Sequence, residues 1–539
     1  MAKTLVIGFD GATFDVISPL VAEGFLPNFK KLIDEGASGP LQSTMPPVTG
    51  PAWFALATGM TPGRSGFFDF IVRASCDSWS FRFLDSSDFK NRALWDVLSR
   101  SGRKVCLFNY PCLYPPYPVN GYMISGGLGS PNLSGFTYPA DIEGRITGFV
   151  GRNRQIDLSN ARYKDLAVFL ADLQENFEAN VQAVEHVLKQ EQWDLAWVVF
   201  SQTDWLQHMM WKHFENGQTD THEGQSGRYN RGFKDFWARA DAAIGRLLAC
   251  VSGDANVMIV SDHGFGSVGE SVRVNAWLRQ EGYLRLARGG WKGFAVVKRM
   301  RNLLRNAAAM LAITRLCPRL FTWVKNKTVS IMIPLHFIDY ENTVAFDPGH
   351  IGSMGGIYIN EKALKDGQTC DSVRSEIIEK LHHLGKQNHW NVEALKPEDV
   401  YGQKAAGSPD IIVRINEGSC VMLKEFDGQI IEHGKLPDRI SFLTGTHRMD
   451  GVFIAAGPDF KHARLEGARL WDVAPTLLQS FGEPVPSYME GRALQQALKS
   501  SVRASGGHAC EIRDPEGSRL TQDEEQAVRR QLRDLGYFE

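Results

Sequence analysis

Two pairs of carboxylate and imidazole side chains stand out in the sequence because of their spacing. Asp204 and His208 are four residues apart in the string TDWLQH, so on a helix both project from one face and can bind the same cation. Asp262 and His263 are adjacent in SDHG, where the chain leaves an apolar run and a turn can direct both side chains inward. Carboxylates and imidazoles without thiolates favour zinc or manganese over calcium, which takes oxygen ligands.

Two further residues can complete such a site. Asp10 follows the apolar run TLVIGF near the start of the chain, and His447 lies in the late string TGTHRMDG. Each of these residues taken alone also has a structural explanation, because an aspartate before glycine shapes turns and a histidine can be a hydrogen-bonded core residue. Their combination favours a metal site.

A hydroxyl at the start of a short helix is the candidate nucleophile. The residues from Thr49 onward read TGPAWFALATG, in which Pro51 suits the first helical position and Gly59 the left-handed residue after the last turn. Thr49 can cap this helix. It can also attack a bound anion, because free backbone N–H groups and the positive end of the helix dipole meet there. The stretch alone leaves both interpretations open.

Short apolar runs alternate with helical patterns, and this predicts the elements that must position these residues. TLVIGFD, WDLAWVVF, NVMIVSD and GVFIAAGP are typical of buried strands. We therefore predict an α/β fold with a mostly parallel central sheet and helices on both faces. Ligands bind beyond the carboxyl ends of the strands of such sheets. Asp10, Asp204 and Asp262 each lie at or just after the end of such a run.

The position of the last run divides the chain into parts. GVFIAAGP follows His447, so the core resumes late and the residues before it form an insertion. A polar stretch then precedes a final helical pattern, DEEQAVRRQLRDLGYFE. We predict a catalytic core over 1–270 and 440–500, an inserted cap or substrate domain over 271–439, and a linker with a C-terminal helix over 501–539.

The insertion contains the strongest charge asymmetry in the sequence. Residues 282–338 include eleven Lys and Arg and no Asp or Glu. On a helix, Val297 and Met300 share one side while Lys298 and Arg301 share another, a pattern that suits an anionic membrane surface. An ordinary helix with a solvated basic face explains the pattern equally well. We keep peripheral membrane contact as one prediction for this segment.

Composition restricts the class of protein further. The 539 residues carry 59 basic and 61 acidic side chains, a formal net charge of −2, so nucleic acid is not an expected partner. The eight cysteines form no C-x-x-C pair, which argues against a thiolate zinc site and favours a reducing compartment. We see neither an export signal nor a long apolar run, so we expect a cytoplasmic protein, peripheral to the inner membrane face if the basic segment binds lipid.

The order of the motifs resembles that of the alkaline phosphatase superfamily. The matching strings are FDG at 9–11, T-x-P at 49–51 with ATG at 57–59 and PGRSG at 62–66, D-x-x-x-H at 204–208, SDHG at 261–264 and GTH at 445–447. Within the superfamily they are most similar to the type I phosphodiesterase/nucleotide pyrophosphatase branch. The resemblance implies an alkaline phosphatase-like fold with an inserted cap domain.

The same resemblance implies roles for individual residues. Two divalent ions, zinc or manganese, are implied, and Thr49 becomes the nucleophile that forms a phosphothreonine intermediate. Two such ions stabilise an alkoxide at ordinary pH, and they also stabilise the entering and leaving oxygens of a displacement at phosphorus. The implied ligands are Asp204, His208 and His447 for one ion, and Asp10, Asp262, His263 and the Thr49 oxygen for the other.

Two departures from the family pattern bear on the phosphate site. Where many members carry an Asn that touches a phosphoryl oxygen, this chain has Asp69 and Phe70. The Gly50 backbone N–H is our first substitute as oxyanion donor, and Arg64 and Arg448 are secondary candidates for phosphate contact. Arg448 also replaces the glycine that often follows the last histidine, which bears on the substrate class.

The resemblance implies hydrolysis of a small phosphorylated substrate, a phosphodiester or a nucleotide pyrophosphate. A nucleotide, a nucleotide sugar and a lipid-linked ester are all candidates. A sulfatase is not expected, because threonine cannot give formylglycine and Trp53 replaces the arginine of that motif. A phosphomonoesterase, a phosphoglycerate mutase-like phosphotransferase, and a metal-containing, non-catalytic membrane-associated binding protein stay open as alternatives.

Overall fold

The computed structural model places most of the chain. No helix among the residues it describes is long and apolar enough to cross a membrane. The basic segment with its predicted membrane contact lies outside the described residues, except for its ends at 282–287 and 338. The residues described are 2–74, 78–130, 134–150, 156, 158, 161–219, 225–251, 254–287, 338–349, 352–434, 436–437, 440–499 and 519–535.

A ten-stranded sheet forms the main layer of the molecule. Thr4–Phe9 lies inside it with a parallel neighbour on each side, and all six of its residues are buried, as expected for a strand covered on both faces. The mostly parallel α/β sheet predicted from the sequence is confirmed. The strands in spatial order are Ala463–Arg464, Ala37–Gln42, Asp450–Ala456, Asn256–Val260, Thr4–Phe9, Leu195–Phe200, Val105–Phe108, Gly121–Ile124 and Thr137–Tyr138, and Ala468–Arg469 also pairs with Ala37–Gln42.

Two of these strands run against the others. Asp450–Ala456 is antiparallel to both of its neighbours, and Thr137–Tyr138 is antiparallel to Gly121–Ile124. The predicted late strand is therefore present, but it enters the sheet in the opposite direction to its neighbours. The carboxyl ends of the three central parallel strands still meet at one edge of the sheet. Asp10, Asp204 and Asp262 come after these strand ends.

Helices surround this sheet, and one of them differs from the prediction. The helical pattern that ends at Gly36 forms two helices, because Gly24 with φ 82° interrupts it and Pro27 begins the second. The α-helices of this layer are Phe14–Ala22, Pro27–Glu35, Thr49–Thr58, Pro62–Ser65, Ser86–Phe89, Leu94–Arg100, Asp141–Val150, Leu166–Gln190, Gln202–Thr219, Gln225–Leu248, Val473–Ser480 and Gln522–Asp534.

The helix Thr49–Thr58 lies inside the protein. Every one of its residues is buried, and Trp53 packs directly on the central strand at Gly8. A Cβ on Gly8 would lie 2.4 Å from the Trp53 ring, so the close approach requires glycine there. Truncating a buried tryptophan of this kind to alanine costs about 3–5 kcal/mol. The packing fixes the height of Thr49 above the sheet.

Residues of the predicted insertion build a second hydrophobic cluster. It lies between a four-stranded antiparallel sheet and the helix Cys370–Asn388, and it includes Phe346, Ile357 and Ile411. The boundaries predicted for this domain stay a prediction. The other elements here are Val274–Gln280 and Pro397–Tyr401 (helices), Ala345–Phe346, Met354–Ile359, Ile411–Ile415 and Val392–Leu395 (the four strands), and Cys420–Leu423, Glu270–Arg273 and Ile431–His433 (a three-stranded sheet).

Two small antiparallel ribbons complete the fold. One pairs Ile71–Arg73 with Phe81–Phe83. The other pairs Gly264–Ser267 with Gly445–Arg448, so it joins segments that are remote in sequence. We call this second one the metal-site ribbon, because it carries His447 and begins directly after His263. It stands at the carboxyl edge of the central sheet.

Candidate metal centre

Three adjacent strands of the central sheet deliver the acidic side chains. Asp10 follows Thr4–Phe9 and Asp262 lies two residues beyond Asn256–Val260, while Asp204 lies in the first turn of the helix that follows Leu195–Phe200. All three carboxylates are at most 1% exposed. Burying three carboxylates together is costly unless a cation balances them. The three buried carboxylates therefore need positive charge nearby.

One cluster contains Asp204, His208 and His447, and we call it the His-rich group. Asp204 and His208 share a face of the helix Gln202–Thr219, as the four-residue spacing predicts. His447 reaches them from the metal-site ribbon. Its Nε2 lies 3.3 Å from Asp204 Oδ1 and 3.1 Å from His208 Nε2. The ligand atoms of the group lie within 4.8 Å of one another.

The orientation of the two imidazoles in the His-rich group suits a metal. His208 Nδ1 lies 3.0 Å from the Gly445 carbonyl oxygen, and His447 Nδ1 lies 2.9 Å from the Pro47 carbonyl oxygen. A carbonyl only accepts, so each Nδ1 carries the proton and donates. When both rings are neutral, their two Nε2 lone pairs face each other across 3.1 Å. A cation held by both nitrogens relieves this repulsion, and such carbonyl support is typical of metal-binding histidines.

A second cluster contains Asp10, Asp262 and His263, and we call it the Asp-rich group. His263 Nε2 lies 3.3 Å from Asp262 Oδ2 and 3.6 Å from Asp10 Oδ1, while its Nδ1 donates to the Gly264 carbonyl oxygen at 3.0 Å. The Gly11 N–H donates to Asp262 Oδ1 at 3.2 Å. Asp10 Oδ1 and Asp262 Oδ2 are buried and accept no hydrogen bond from the described residues. These two oxygens are available to a cation.

The pKa values of the buried groups reflect the shortage of positive charge. Burial, and then the neighbouring carboxylates Asp262 and Asp204, raise the pKa of Asp10 well above its usual value. Burial likewise raises the pKa of Asp262 to about 8. Burial alone would also raise the pKa of Asp204, but the adjacent histidines outweigh it and lower that pKa to about 2. Cations at both groups would favour the ionised form of every carboxylate.

Thr49 lies beside the Asp-rich group. It is the first residue of its helix, its side chain is fully buried, and its Oγ1 is 3.4 Å from His263 Nε2. Val48 occupies the capping position, so the structure does not use the Thr49 hydroxyl as the cap. Gly59 ends the helix with φ 63°, as predicted, but the helix starts two residues before Pro51. The hydroxyl is thus directed at a histidine of the candidate site.

The two groups and Thr49 form one continuous site. The rings of His263 and His447 stack with centroids 3.6 Å apart and planes inclined by 19°. This stack joins a residue of the Asp-rich group to a residue of the His-rich group. The structure thus brings together all seven residues proposed as ligands, and their roles stay a prediction.

The surroundings of Gly50 include one of the two residues that depart from the family pattern. Gly50 is the second residue of the helix, so its N–H has no partner within the helix and its role as oxyanion donor stays a prediction. Phe70 is buried against it, since a Cβ on Gly50 would lie 3.0 Å from the Phe70 ring. Asp69 instead faces Gly349 of the insertion, since a Cβ added to Gly349 would lie 2.7 Å from Asp69 Oδ2.

The two arginines predicted as phosphate contacts lie in different surroundings. Arg448 follows His447 on one strand, so its side chain leaves the opposite face of the metal-site ribbon. Its guanidinium donates to the carbonyl oxygens of Gly418 and Ser267, and burial lowers its pKa to about 10. These contacts do not support Arg448 as a phosphate contact, and its role stays a prediction. Arg64 is exposed in the helix Pro62–Ser65, and its role stays untested.

Sequence reasoning missed Phe265, which contacts the histidines of both groups. Phe265 lies opposite His447 in the metal-site ribbon and on the same face. Its ring centroid is 4.8 Å from that of His208, 5.5 Å from that of His447 and 6.2 Å from that of His263. Its place two residues after His263 was the only available signal, and that signal does not reveal the pairing with a strand almost 180 residues later.

Comparisons with known proteins identify the family and the fold. A family model described as type I phosphodiesterase / nucleotide pyrophosphatase matches residues 4–440. A search of curated proteins finds no match. Among solved structures, the chain is similar to murine ectonucleotide pyrophosphatase / phosphodiesterase 5, with 14% identity, a TM-score of 0.51, and coverage of 92% of this chain and 100% of that chain.

Two further structures share the fold. An inactive form of the same murine protein, in complex with AMP, has 14% identity and a TM-score of 0.50, and the match covers 93% of this chain and 98% of that chain. Phosphonoacetate hydrolase from Sinorhizobium meliloti 1021, in complex with phosphonoacetate, has 14% identity and a TM-score of 0.51, and the match covers 88% of this chain and 94% of that chain. The predicted alkaline phosphatase-like fold is confirmed.

Proposed function

The chain belongs to the type I phosphodiesterase / nucleotide pyrophosphatase family, and on that premise we propose that it hydrolyses a phosphodiester or nucleotide pyrophosphate at a two-metal site with Thr49 as nucleophile. The observation that carries the proposal is the convergence of the His-rich and Asp-rich groups beside the buried Thr49 hydroxyl. The donor set suits divalent cations, since it combines carboxylate oxygens with imidazole nitrogens and two buried oxygens without donors.

In this proposal residues of the chain supply the nucleophile and a hydrogen-bond donor to the phosphoryl group. Bound divalent ions, zinc or manganese, would supply charge that favours the Thr49 alkoxide and stabilises oxygens at phosphorus. Thr49 Oγ forms a bond to phosphorus while the bond to the leaving oxygen breaks, and the hydroxyl proton passes to solvent. Water then hydrolyses the phosphothreonine and restores the hydroxyl. The Gly50 N–H is the candidate donor to the phosphoryl oxygen.

The substrate class follows from what similar structures hold. Two of them are in complex with AMP or phosphonoacetate, which supports a small phosphorylated substrate for this chain. Nucleotides, nucleotide sugars and lipid-linked esters are the candidates within that class. The lipid-linked candidate, peripheral membrane contact and a cytoplasmic location at the inner membrane face depend on the basic segment 282–338 or on composition, and all three stay proposals.

A panel of esters tests the function. The purified chain, loaded with Zn²⁺ or Mn²⁺, is assayed with bis-(4-nitrophenyl) phosphate, a dinucleotide pyrophosphate and 4-nitrophenyl phosphate. We expect turnover of the diester or pyrophosphate and a loss of at least about 10³-fold in Thr49→Ala, because that variant lacks the nucleophile. Thr49→Ser is the matched control, since it keeps a hydroxyl and should keep part of the activity.

The same panel separates the alternatives. Turnover of the monoester alone would favour a phosphomonoesterase or a mutase-like phosphotransferase. Equal activity of wild type and Thr49→Ala would remove the proposed nucleophile. A metal-loaded chain that hydrolyses none of the esters would favour the non-catalytic binding protein.

A further inference from the structure

Tyr401 of the insertion makes two hydrogen bonds to a single residue of the core. Its hydroxyl accepts from the Met45 N–H at 2.6 Å and donates to the Met45 carbonyl oxygen at 3.0 Å. Tyr401 is the last residue of the helix Pro397–Tyr401 and belongs to no part of the site described above. One phenol thus fixes both backbone groups of a residue four positions before Thr49.

The segment that contains Met45 runs along both metal groups. The Ser43 hydroxyl donates to the Asp262 carbonyl oxygen at 2.6 Å, and the Pro47 carbonyl oxygen accepts from His447 Nδ1 at 2.9 Å. Thr49 Oγ1 lies 3.4 Å from His263 Nε2. We call residues 43–49 the nucleophile loop. Met45 lies between Ser43, which contacts the Asp-rich group, and Pro47, which contacts the His-rich group.

The position of Tyr401 is fixed by close packing. Its ring makes edge contacts with Phe68 and Trp471, each with centroids 6.1 Å apart. Gly63 allows the approach, because a Cβ there would lie 2.5 Å from the Tyr401 Cβ. Because the ring is packed in this way, its hydroxyl points toward Met45. The contact is therefore a built connection between the insertion and the nucleophile loop.

We propose that Tyr401 is a positioning residue of the metal centre, which holds the nucleophile loop so that the Pro47 carbonyl keeps His447 turned toward Asp204. Pro47 orients His447 directly, whereas Tyr401 orients Pro47 through the backbone of Met45. The inference assigns the insertion a role in metal affinity as well as in covering the site. Its activity arm rests on the proposed function, but its metal-binding arm does not.

The test compares two tyrosines of the insertion. Tyr401→Phe removes only the hydroxyl that contacts Met45. Tyr283→Phe is the matched control, because Tyr283 is also buried in the insertion and donates to Glu376 Oε1 at 2.7 Å, without contact to the nucleophile loop. Binding of Mn²⁺ to each metal-free full-length chain is followed by the electron paramagnetic resonance signal of the free ion. Thermal unfolding checks that each variant is folded.

We expect Tyr401→Phe to weaken one of the two Mn²⁺ equivalents about three- to tenfold, below the loss of about 10–100-fold typical for a direct partner of a metal ligand. With Mn²⁺ saturating and an ester that the chain hydrolyses, kcat should fall by a similar factor while KM changes less than about twofold, because the loop orients the nucleophile and not the leaving group. Tyr283→Phe should match wild type in both measurements.

Four outcomes bear differently on the inference and on the proposed function. Equal Mn²⁺ affinity in Tyr401→Phe and wild type would overturn the positioning role, as would an equal loss in Tyr283→Phe. A wild-type chain that binds neither Mn²⁺ nor, by metal analysis, Zn²⁺ would overturn both this inference and the proposed function. Weaker Mn²⁺ binding in Tyr401→Phe by a chain that hydrolyses no ester would support the inference and contradict the proposed function.

Discussion

The His-rich and Asp-rich groups use the same residue types and reach opposite electrostatic states. The His-rich group places two imidazoles beside one carboxylate, and the pKa of Asp204 falls to about 2 although burial opposes this. The Asp-rich group places two carboxylates beside one imidazole, and burial raises the pKa of Asp262 to about 8. The ratio of acid to imidazole therefore decides whether a buried carboxylate in this site is ionised before a cation arrives.

The two groups also differ in what holds them. His208 and His447 donate to the carbonyl oxygens of Gly445 and Pro47, which come from remote segments. His263 donates to its neighbour Gly264, and Asp262 accepts from Gly11 at the end of the adjacent strand. The Asp-rich group is thus formed by strand ends of the central sheet, whereas the His-rich group requires the ribbon and the nucleophile loop.

Removing one carboxylate from each group should have the largest effect. Asp204→Asn and Asp10→Asn should each reduce bound metal from two ions to one and lower activity more than about 100-fold, the upper end for residues that only support a ligand. Metal analysis and ester hydrolysis measure these losses. A variant that keeps two ions and full activity would contradict the assignment of its group.

The same pair should differ in sign when metal is removed. The charge of protonated imidazoles lowers the pKa of Asp204 in the folded chain, so Asp204→Asn should lower the free energy of unfolding at acidic pH, where these imidazoles are protonated. The pKa of Asp10 is raised, so the folded chain is penalised at pH 7, and Asp10→Asn should stabilise it. Thermal unfolding of the metal-free proteins measures both. If both variants changed the free energy of unfolding in the same direction, the electrostatic difference between the two groups would be contradicted.

Lowering the pH should release metal from the Asp-rich group first. Asp262 must lose its proton to bind a cation, and with its pKa near 8 each pH unit below that value reduces affinity by up to about tenfold. Asp204 stays ionised throughout, and burial lowers the pKa of His208, so the His-rich group should change less between pH 8.5 and 6. Mn²⁺ titrations of the metal-free chain at several pH values should show one equivalent weakening and one nearly constant. Parallel weakening of both would contradict the assignment.

The sequence was sufficient for features that local pattern determines. The strand ends placed Asp10 and Asp262 at one sheet edge, and the four-residue spacing placed Asp204 and His208 on one helix face. The split of the first helical pattern was missed, although Gly24 and Pro27 stand within it.

Features that depend on remote pairing could not be obtained in the same way. The metal-site ribbon joins Gly264–Ser267 to Gly445–Arg448, and no local pattern sets its register. A shift of one residue exchanges the two faces, so the sequence could not decide whether His447 or Arg448 points at the site. The pairing of Phe265 with His447 and the hydrogen bonds of Tyr401 to Met45 join residues well over a hundred positions apart, and for the same reason neither contact could be predicted.

The smallest effect should separate the two faces of the metal-site ribbon. Phe265 contacts histidines of both groups, so Phe265→Leu should weaken both Mn²⁺ equivalents by a few-fold and lower the free energy of unfolding by about 1–2 kcal/mol through lost ring contacts. Arg448→Met is the control from the opposite face. It loses hydrogen bonds to Gly418 and Ser267, so it should lower the unfolding temperature and leave metal affinity and KM unchanged.

Each result at the ribbon bears on the comparison between the groups. Weakening of a single equivalent in Phe265→Leu would mean that its ring supports one group only, and that the groups are less connected than the His263–His447 stack indicates. A severalfold rise in KM for Arg448→Met, with metal affinity unchanged, would restore Arg448 as a phosphate contact. Arg448 Nε lies 2.7 Å from the position that a Cβ on Gly266 would occupy, on the face of the ribbon opposite His447. The guanidinium would have to cross the ribbon to reach a phosphate at the metal groups, so we expect KM to stay constant.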